Sequence, residues 1–130
     1  MKSDKEELPV GKDNLIYKAA AAIFEEYGVQ SFGVQIALKK QIPIAAGMAG
    51  GSTDAAAVFH GLNELFGLGM SLQDMQGIGV RLGADIPYCL MGGTALAEGI
   101  GERLTALPPP PDCHLVVAKP DINVSTKFVY

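Results

Sequence analysis

No apolar run in this chain reaches the ~18 residues that a membrane-spanning helix needs, and its first residues, Met1-Lys-Ser-Asp-Lys-Glu-Glu7, are too charged for a secretory signal. Cysteine is scarce. Cys89 and Cys113 lack metal spacing and are too few for a disulfide framework, so both read as reduced thiols of a cytoplasmic protein. His60 and His114 stand apart, also without metal spacing, and are expected to be structural. Basic residues are scattered and the formal net charge is −4, which leaves no footprint for nucleic acid. Nothing in the composition points to nucleic acid or a membrane as a partner.

What is present is an ordinary globular balance, 48% hydrophobic and 18% charged over 130 residues, enough for one domain and not for two. Residues 1–12 are charged and carry Pro9 and Gly11, which predicts a flexible lead-in. Ile16, Ala19, Ala20, Ile23, Phe24 and Tyr27 recur on one face of a helix that starts after Asp13 or Asn14 and stops at Gly28. Phe32, Val34, Ile36 and Leu38 alternate as a half-buried strand. A second helix carries Ala55, Val58, Phe59, Leu62, Leu65 and Phe66. Ser71 and Asp74 have capping-box spacing for a third, with Leu72, Met75, Ile78 and Leu82 on its buried side and Gly77 and Gly79 weakening it. Pro87 disfavours helix at Ile86. Residues 88–91 and 94–98 therefore read as strands joined at Gly92-Gly93, followed by short strands at 103–107 and 114–119. Helices and strands mix without regular βαβ alternation, so the expected class is α+β.

The centre of the chain is Ile42-Pro-Ile-Ala-Ala-Gly-Met-Ala-Gly-Gly-Ser-Thr-Asp-Ala-Ala-Ala57, between a strand and a helix. Gly47, Gly50 and Gly51 permit positive φ and close approach of a ligand, and Ser52, Thr53 and Asp54 suit an N-cap and first turn. A helix start offers unpaired N–H groups and partial positive charge, both favourable to phosphate. The spacing matches neither G-x-x-x-x-G-K-[ST], since no Lys precedes Ser52, nor G-x-G-x-x-G. From the residues alone, a phosphate cradle and a plain strand-to-helix turn both remain open. Asp85, in Gly83-Ala-Asp-Ile-Pro87, reads either as a turn residue or as a general base. Asp54 reads as a Mg²⁺ neighbour or as a complement to the helix N-terminus.

Taken together, these segments resemble one family. The run from Pro43 to Ala57 is similar to the phosphate loop of the GHMP kinases, which include galactokinase and the homoserine, mevalonate and phosphomevalonate kinases. Asp13-Asn-Leu-Ile-Tyr-Lys-Ala-Ala20, Leu62-Asn-Glu-Leu-Phe-Gly-Leu68, Leu82-Gly-Ala-Asp-Ile-Pro87, Gly92-Gly-Thr-Ala-Leu-Ala97, Gly99-Ile-Gly-Glu102, Lys119-Pro120 and Val124-Ser-Thr126 follow in the family's order. They extend the resemblance, from about Pro9 to Tyr130, to the branch that phosphorylates a cytidyl-methylerythritol in non-mevalonate (MEP pathway) isoprenoid synthesis. The sugar and mevalonate kinases share the loop but not Gly-Ala-Asp-Ile-Pro followed by Gly-Gly-Thr-Ala-Leu.

The resemblance implies an α+β fold, part of a GHMP-kinase N-terminal domain (ribosomal protein S5 domain 2-like), with helices packed on one face of a mixed sheet. Residues 13–130 would be the partial ATP-binding domain. It implies transfer of the γ-phosphoryl of ATP, with Mg²⁺, to the 2-hydroxyl of 4-diphosphocytidyl-2-C-methyl-D-erythritol. The loop residues Pro43, Ala45, Ala46, Gly47, Met48, Ala49, Gly50, Gly51, Ser52 and Thr53 would hold the ATP phosphates, with Ser52 or Asp54 near Mg²⁺. Asp85 matches the aspartate that deprotonates the attacking hydroxyl, and Thr126 and Tyr130 match positions at the cytidine end.

The family also has early strands, a catalytic lysine paired with the aspartate, an aromatic–histidine pair gripping cytidine, and a second domain after the Val-Ser-Thr segment. None of these has a counterpart here, and Lys12 and Lys18 flank a different segment. The resemblance therefore implies the middle of a kinase, inactive or nearly so by itself. The other reading is a non-catalytic remnant that binds nucleotide or only self-associates through an open sheet edge.

Overall fold

The computed structural model describes residues 1–30 and 33–120. Eight elements follow in order: β1 (Lys2–Ser3), α1 (Leu15–Glu26), β2 (Ala37–Leu38), α2 (Gly50–Phe66), α3 (Leu72–Gly79), α4 (Ile86–Met91), β3 (Thr94–Glu98) and β4 (Arg103–Leu107).

Local sequence explains the long helices. Asn14 caps α1, its Oδ1 accepting from the Ile16 N–H at 2.9 Å while its Nδ2 donates to the Pro9 carbonyl at 2.7 Å. The helix closes at Gly28, at φ 60°, with the Val29 N–H donating to the Phe24 carbonyl in a Schellman arrangement. In α3 the capping box forms in full: Ser71 Oγ accepts from the Asp74 N–H, and the Asp74 carboxylate accepts from the Ser71 N–H. Gly79 was expected to weaken α3. It is instead a point of close approach to α4, since a Cβ there would stand 2.7 Å from Ile86 Cγ2. Leu72, expected on the buried side, begins the helix and is exposed, while Met75 and Ile78 are buried.

The apolar face of α1, with Ile16, Ala19, Ala20 and Ile23, packs on Ala55, Phe59 and Leu62 of α2. The alanines let the two helices approach closely. Phe24 and Phe66 meet edge to face, with ring centroids 5.6 Å apart. Phe59, Ile23 and Ile86 are fully buried at the centre.

Several expectations are corrected. The lead-in contributes β1, which pairs in parallel with β2, Lys2 opposite Ala37 and Ser3 opposite Leu38. The strand expected from Phe32 to Leu38 shortens to that two-residue pair, and Phe32 lies outside the described residues. Residues 88–91 are helical rather than a strand. Pro87 sits in the first turn of α4, where it has no helical hydrogen bond to lose, and Ile86, Pro87 and Leu90 are buried at helical spacing. The hairpin accordingly joins β3 to β4 through residues 99–102, not across Gly92-Gly93. Residues 114–119 form no strand: Leu115, Val116 and Val117 are 83%, 97% and 64% exposed, and no described segment pairs with them. The α+β class holds, with the described strands in two separate two-stranded sheets, one parallel and one antiparallel, rather than one mixed sheet.

Candidate functional site: the loop from Ile42 to Gly50

The loop between β2 and α2 curves through left-handed backbone at every second residue: Ala45 at φ 52°, Gly47 at φ 66° and Ala49 at φ 48°. Ala46 and Met48 between them have negative φ. Alternating handedness of this kind is the backbone pattern of anion-binding nests, in which successive N–H groups face one side. Only one of the three left-handed positions is a glycine. The two alanines carry strain of about 1–3 kcal/mol each, which the surrounding fold must maintain.

Helix α2 begins at Gly50, two residues before the sequence reading placed its cap. Ala49 occupies the cap position and has no side chain to offer, so the N–H groups of Gly50, Gly51 and Ser52 are claimed by no capping side chain. The Thr53 N–H and Oγ1 both bond to the Ala49 carbonyl, at 2.9 and 3.0 Å. Gly50 and Gly51 were expected to supply positive φ, and both are helical instead. Gly50 is required for space: a Cβ there would stand 2.7 Å from Ile42 Cγ2 and 2.9 Å from Lys40 Nζ.

Lys40 is a buried charged residue at the base of the loop that the sequence does not single out. Its backbone N–H donates to Asp4 Oδ1 at 2.8 Å, and its ammonium is ion-paired with the Asp54 carboxylate. The two side chains are 4% and 19% exposed. Asp54, expected near Mg²⁺ or the helix N-terminus, is thus directed at Lys40. The signal was in the strand parity, since Lys40 continues the inward positions Ile36 and Leu38 by steps of two.

Asp85 precedes α4 as its exposed cap residue, with no capping bond from its own side chain. Three elements fix its position. Its carbonyl accepts the Cys89 N–H at 3.0 Å, and Cys89 Sγ lies 3.6 Å from Thr53 Oγ1 in the first turns of α2. Gln76 of α3 donates to the Pro87 carbonyl at 3.1 Å. The β3–β4 turn meets Ala84 at Gly101. Burial raises the Cys89 thiol pKa; the Thr53 hydrogen bond lowers it, and the charge of Asp85 raises it further. The loop, the start of α2 and the start of α4 therefore share one end of the molecule. Pro43 opens this loop. Thr126 and Tyr130 lie outside the described residues. His60 Nε2 lies 3.3 Å from the Leu90 carbonyl oxygen.

A loop of alternating handedness running into an uncapped helix start, with an aspartate at the start of a neighbouring helix, has a backbone geometry that suits phosphate. Residues 14–93 match the GHMP kinases N terminal domain, and the chain belongs to that family. Among curated relatives it is 54% identical over 123 residues to a 4-diphosphocytidyl-2-C-methyl-D-erythritol kinase of Lachnospira eligens, a match covering 95% of this chain and 42% of the relative. It is 49% identical over its whole length to the kinase of the same name from Clostridium botulinum (strain Alaska E43 / Type E3), of which it covers 46%. A solved structure of 4-(cytidine 5'-diphospho)-2C-methyl-D-erythritol kinase superposes with a TM-score of 0.68 at 42% identity, covering 80% of this chain and 37% of that one. The chain thus spans less than half the length of these relatives.

Proposed function

We propose that this chain is the phosphate-binding part of an ATP-dependent kinase of the MEP pathway. The whole protein would transfer the γ-phosphoryl of ATP to the 2-hydroxyl of 4-diphosphocytidyl-2-C-methyl-D-erythritol in the cytoplasm. The single observation that carries this is the alternation of left-handed residues at Ala45, Gly47 and Ala49 directly before the uncapped start of α2.

The residues present fit a polyphosphate. The first N–H groups of α2, free of any capping side chain, would meet anionic oxygens directly, and Thr53 Oγ1 bonds to the Ala49 carbonyl beside them. ATP supplies the transferable phosphoryl group when bound. Asp85 accepts the proton of the attacking hydroxyl, held in place by α4, whose Pro87 and Cys89 meet Gln76 and Thr53, and by the packing of Gly101 on Ala84. Such transfer depends chiefly on positioning and on neutralising charge. No group of three potential metal-ligating side chains occurs among the described residues. Mg²⁺ would arrive on the phosphates, as it commonly does with few protein ligands, with Ser52 in the first turn of α2 as the side chain to meet it, since the Asp54 carboxylate is engaged by Lys40. No helix among the described residues is long and apolar enough to cross a membrane.

Titration of the chain with N-methylanthraniloyl-ATP tests the reading. Saturable binding is expected, and Gly47→Val should abolish it, because a β-branched residue resists φ near 66°. Failure of the unaltered chain to bind would overturn it. In an ADP-release assay with Mg-ATP and the cytidyl substrate, this chain alone is expected to show no turnover. Robust turnover would refute that part. Self-association is the second reading. The exposed Leu115, Val116 and Val117 favour it, as does an apolar groove of about 400 Å³ between residues 34–38 and α2. Light scattering showing only monomer would dismiss it.

A further inference from the structure

We infer that Lys40 is a positioning residue for phosphate binding: its buried ammonium, held by Asp54 beneath the first turn of α2, strengthens the attraction of the loop for a polyphosphate. The inference rests on the phosphate-loop reading above.

The location of the charge is the reason. Lys40 Nζ would stand 2.9 Å from a Cβ on Gly50, so the ammonium lies directly under the first residue of α2. That end of a helix already carries partial positive charge, and a cation is stabilising at the opposite end. Burial makes the placement more costly still, since its side chain is 4% exposed. A fold gains little from a buried cation at a helix N-terminus when nothing anionic comes to the loop. It gains field strength there when a phosphate does. Asp54, in the second turn of α2, offsets the charge between ligands and fixes Nζ in place. The backbone bond from Lys40 to Asp4 anchors the same residue to the segment that follows β1. Lys40 and Gly50 bracket the loop at its base, so the pair also holds the two ends of the cradle at a set distance.

The test compares N-methylanthraniloyl-ATP with N-methylanthraniloyl-AMP, each titrated into the chain, with a thermal melt of every variant. Lys40→Met should weaken ATP binding about tenfold, the effect of one charge removed at close range, and AMP binding much less. Lys40→Arg, which keeps the charge, should restore ATP binding to within about threefold of the unaltered chain. Asp54→Asn should tighten ATP binding, because it unmasks the ammonium. A pair that served the fold alone would give another result: Lys40→Met and Asp54→Asn would each strand a buried charge and weaken ATP and AMP alike. That outcome, or weaker ATP binding in Asp54→Asn, overturns the inference and leaves the phosphate-loop reading standing. If Lys40→Met fails to melt cooperatively, the direction of the change in Asp54→Asn decides. Absence of ATP binding by the unaltered chain overturns both.

Discussion

Gly101 rests on the backbone of Ala84 so closely that a Cβ would stand 2.8 Å from the Ala84 carbonyl oxygen. With φ at 112°, the same residue is in a region that side chains resist. One contact thus ties the β3–β4 turn to the segment that presents Asp85. Gly101→Ala is expected to cost about 1–3 kcal/mol in backbone strain alone, with the clash against a carbonyl added. Urea unfolding should show the loss, and ATP affinity should change little, because the loop itself is untouched. An unchanged midpoint would refute the close approach.

Gly50 and Gly51 are neighbours with opposite expected behaviour. Gly50→Ala drives a methyl into Ile42 and Lys40, and overpacking of this kind costs about 1–3 kcal/mol. Gly51→Ala meets only Leu15 Cδ1 at 3.5 Å, an ordinary contact, within a helix. It should stabilise by up to about 1 kcal/mol, the helix preference of Ala over Gly. Thermal melts of the two variants against the unaltered chain check both signs at once.

The Ser71–Asp74 capping box predicts a pH dependence. Hydrogen bonds from the Ser71 hydroxyl and then its backbone N–H hold the Asp74 carboxyl below its ordinary value. A folded pKa below the unfolded one gives stability that is present above the unfolded value of about 3.9 and lost as pH falls through the folded value. Denaturant unfolding between pH 6 and 2 (roughly the carboxylate range and below) should therefore show an acid limb that Asp74→Asn makes shallower. An identical limb in the variant would remove Asp74 from the account.

The two thiols should react at different rates. Cys113 is exposed, while Cys89 is half-buried with its pKa raised. Iodoacetamide labelling at neutral pH, read by peptide mass spectrometry, should modify Cys113 well before Cys89, since the thiolate is the reactive form. Asp85→Asn should speed labelling of Cys89, because the charge of Asp85 contributes to the raised pKa. No change would mean that Asp85 exerts no field at α4.

Much of this architecture was legible in the sequence. Caps at Asn14 and Ser71, the stop at Gly28 and the strand limits at Thr94–Glu98 and Arg103–Leu107 depend on neighbours within a few residues, and the sequence reading agrees with the structure there. What escaped depends on distance or tertiary support. Pro87 opens α4 rather than blocking it, a choice made by burial of Ile86 and Leu90. The apolar pattern at 114–119 has strand propensity, but without a pairing segment among the described residues it yields no strand. At the candidate site, the glycines located the loop but not its curvature, which alanines share. The ion pair between Lys40 and Asp54 spans fourteen positions and becomes visible only when strand parity and helix phase are superposed.

The curvature at Ala45, Gly47 and Ala49 bears on how such loops are found. Two of its three turning points are written with the residue that favours helices most, so a search by glycine spelling would pass over a loop of the same shape. Conversely, Gly50 and Gly51, the pair that catches the eye, contribute clearance and helix rather than turn. A catalogue of phosphate-binding loops indexed by backbone handedness would group this chain with proteins that share few of its letters.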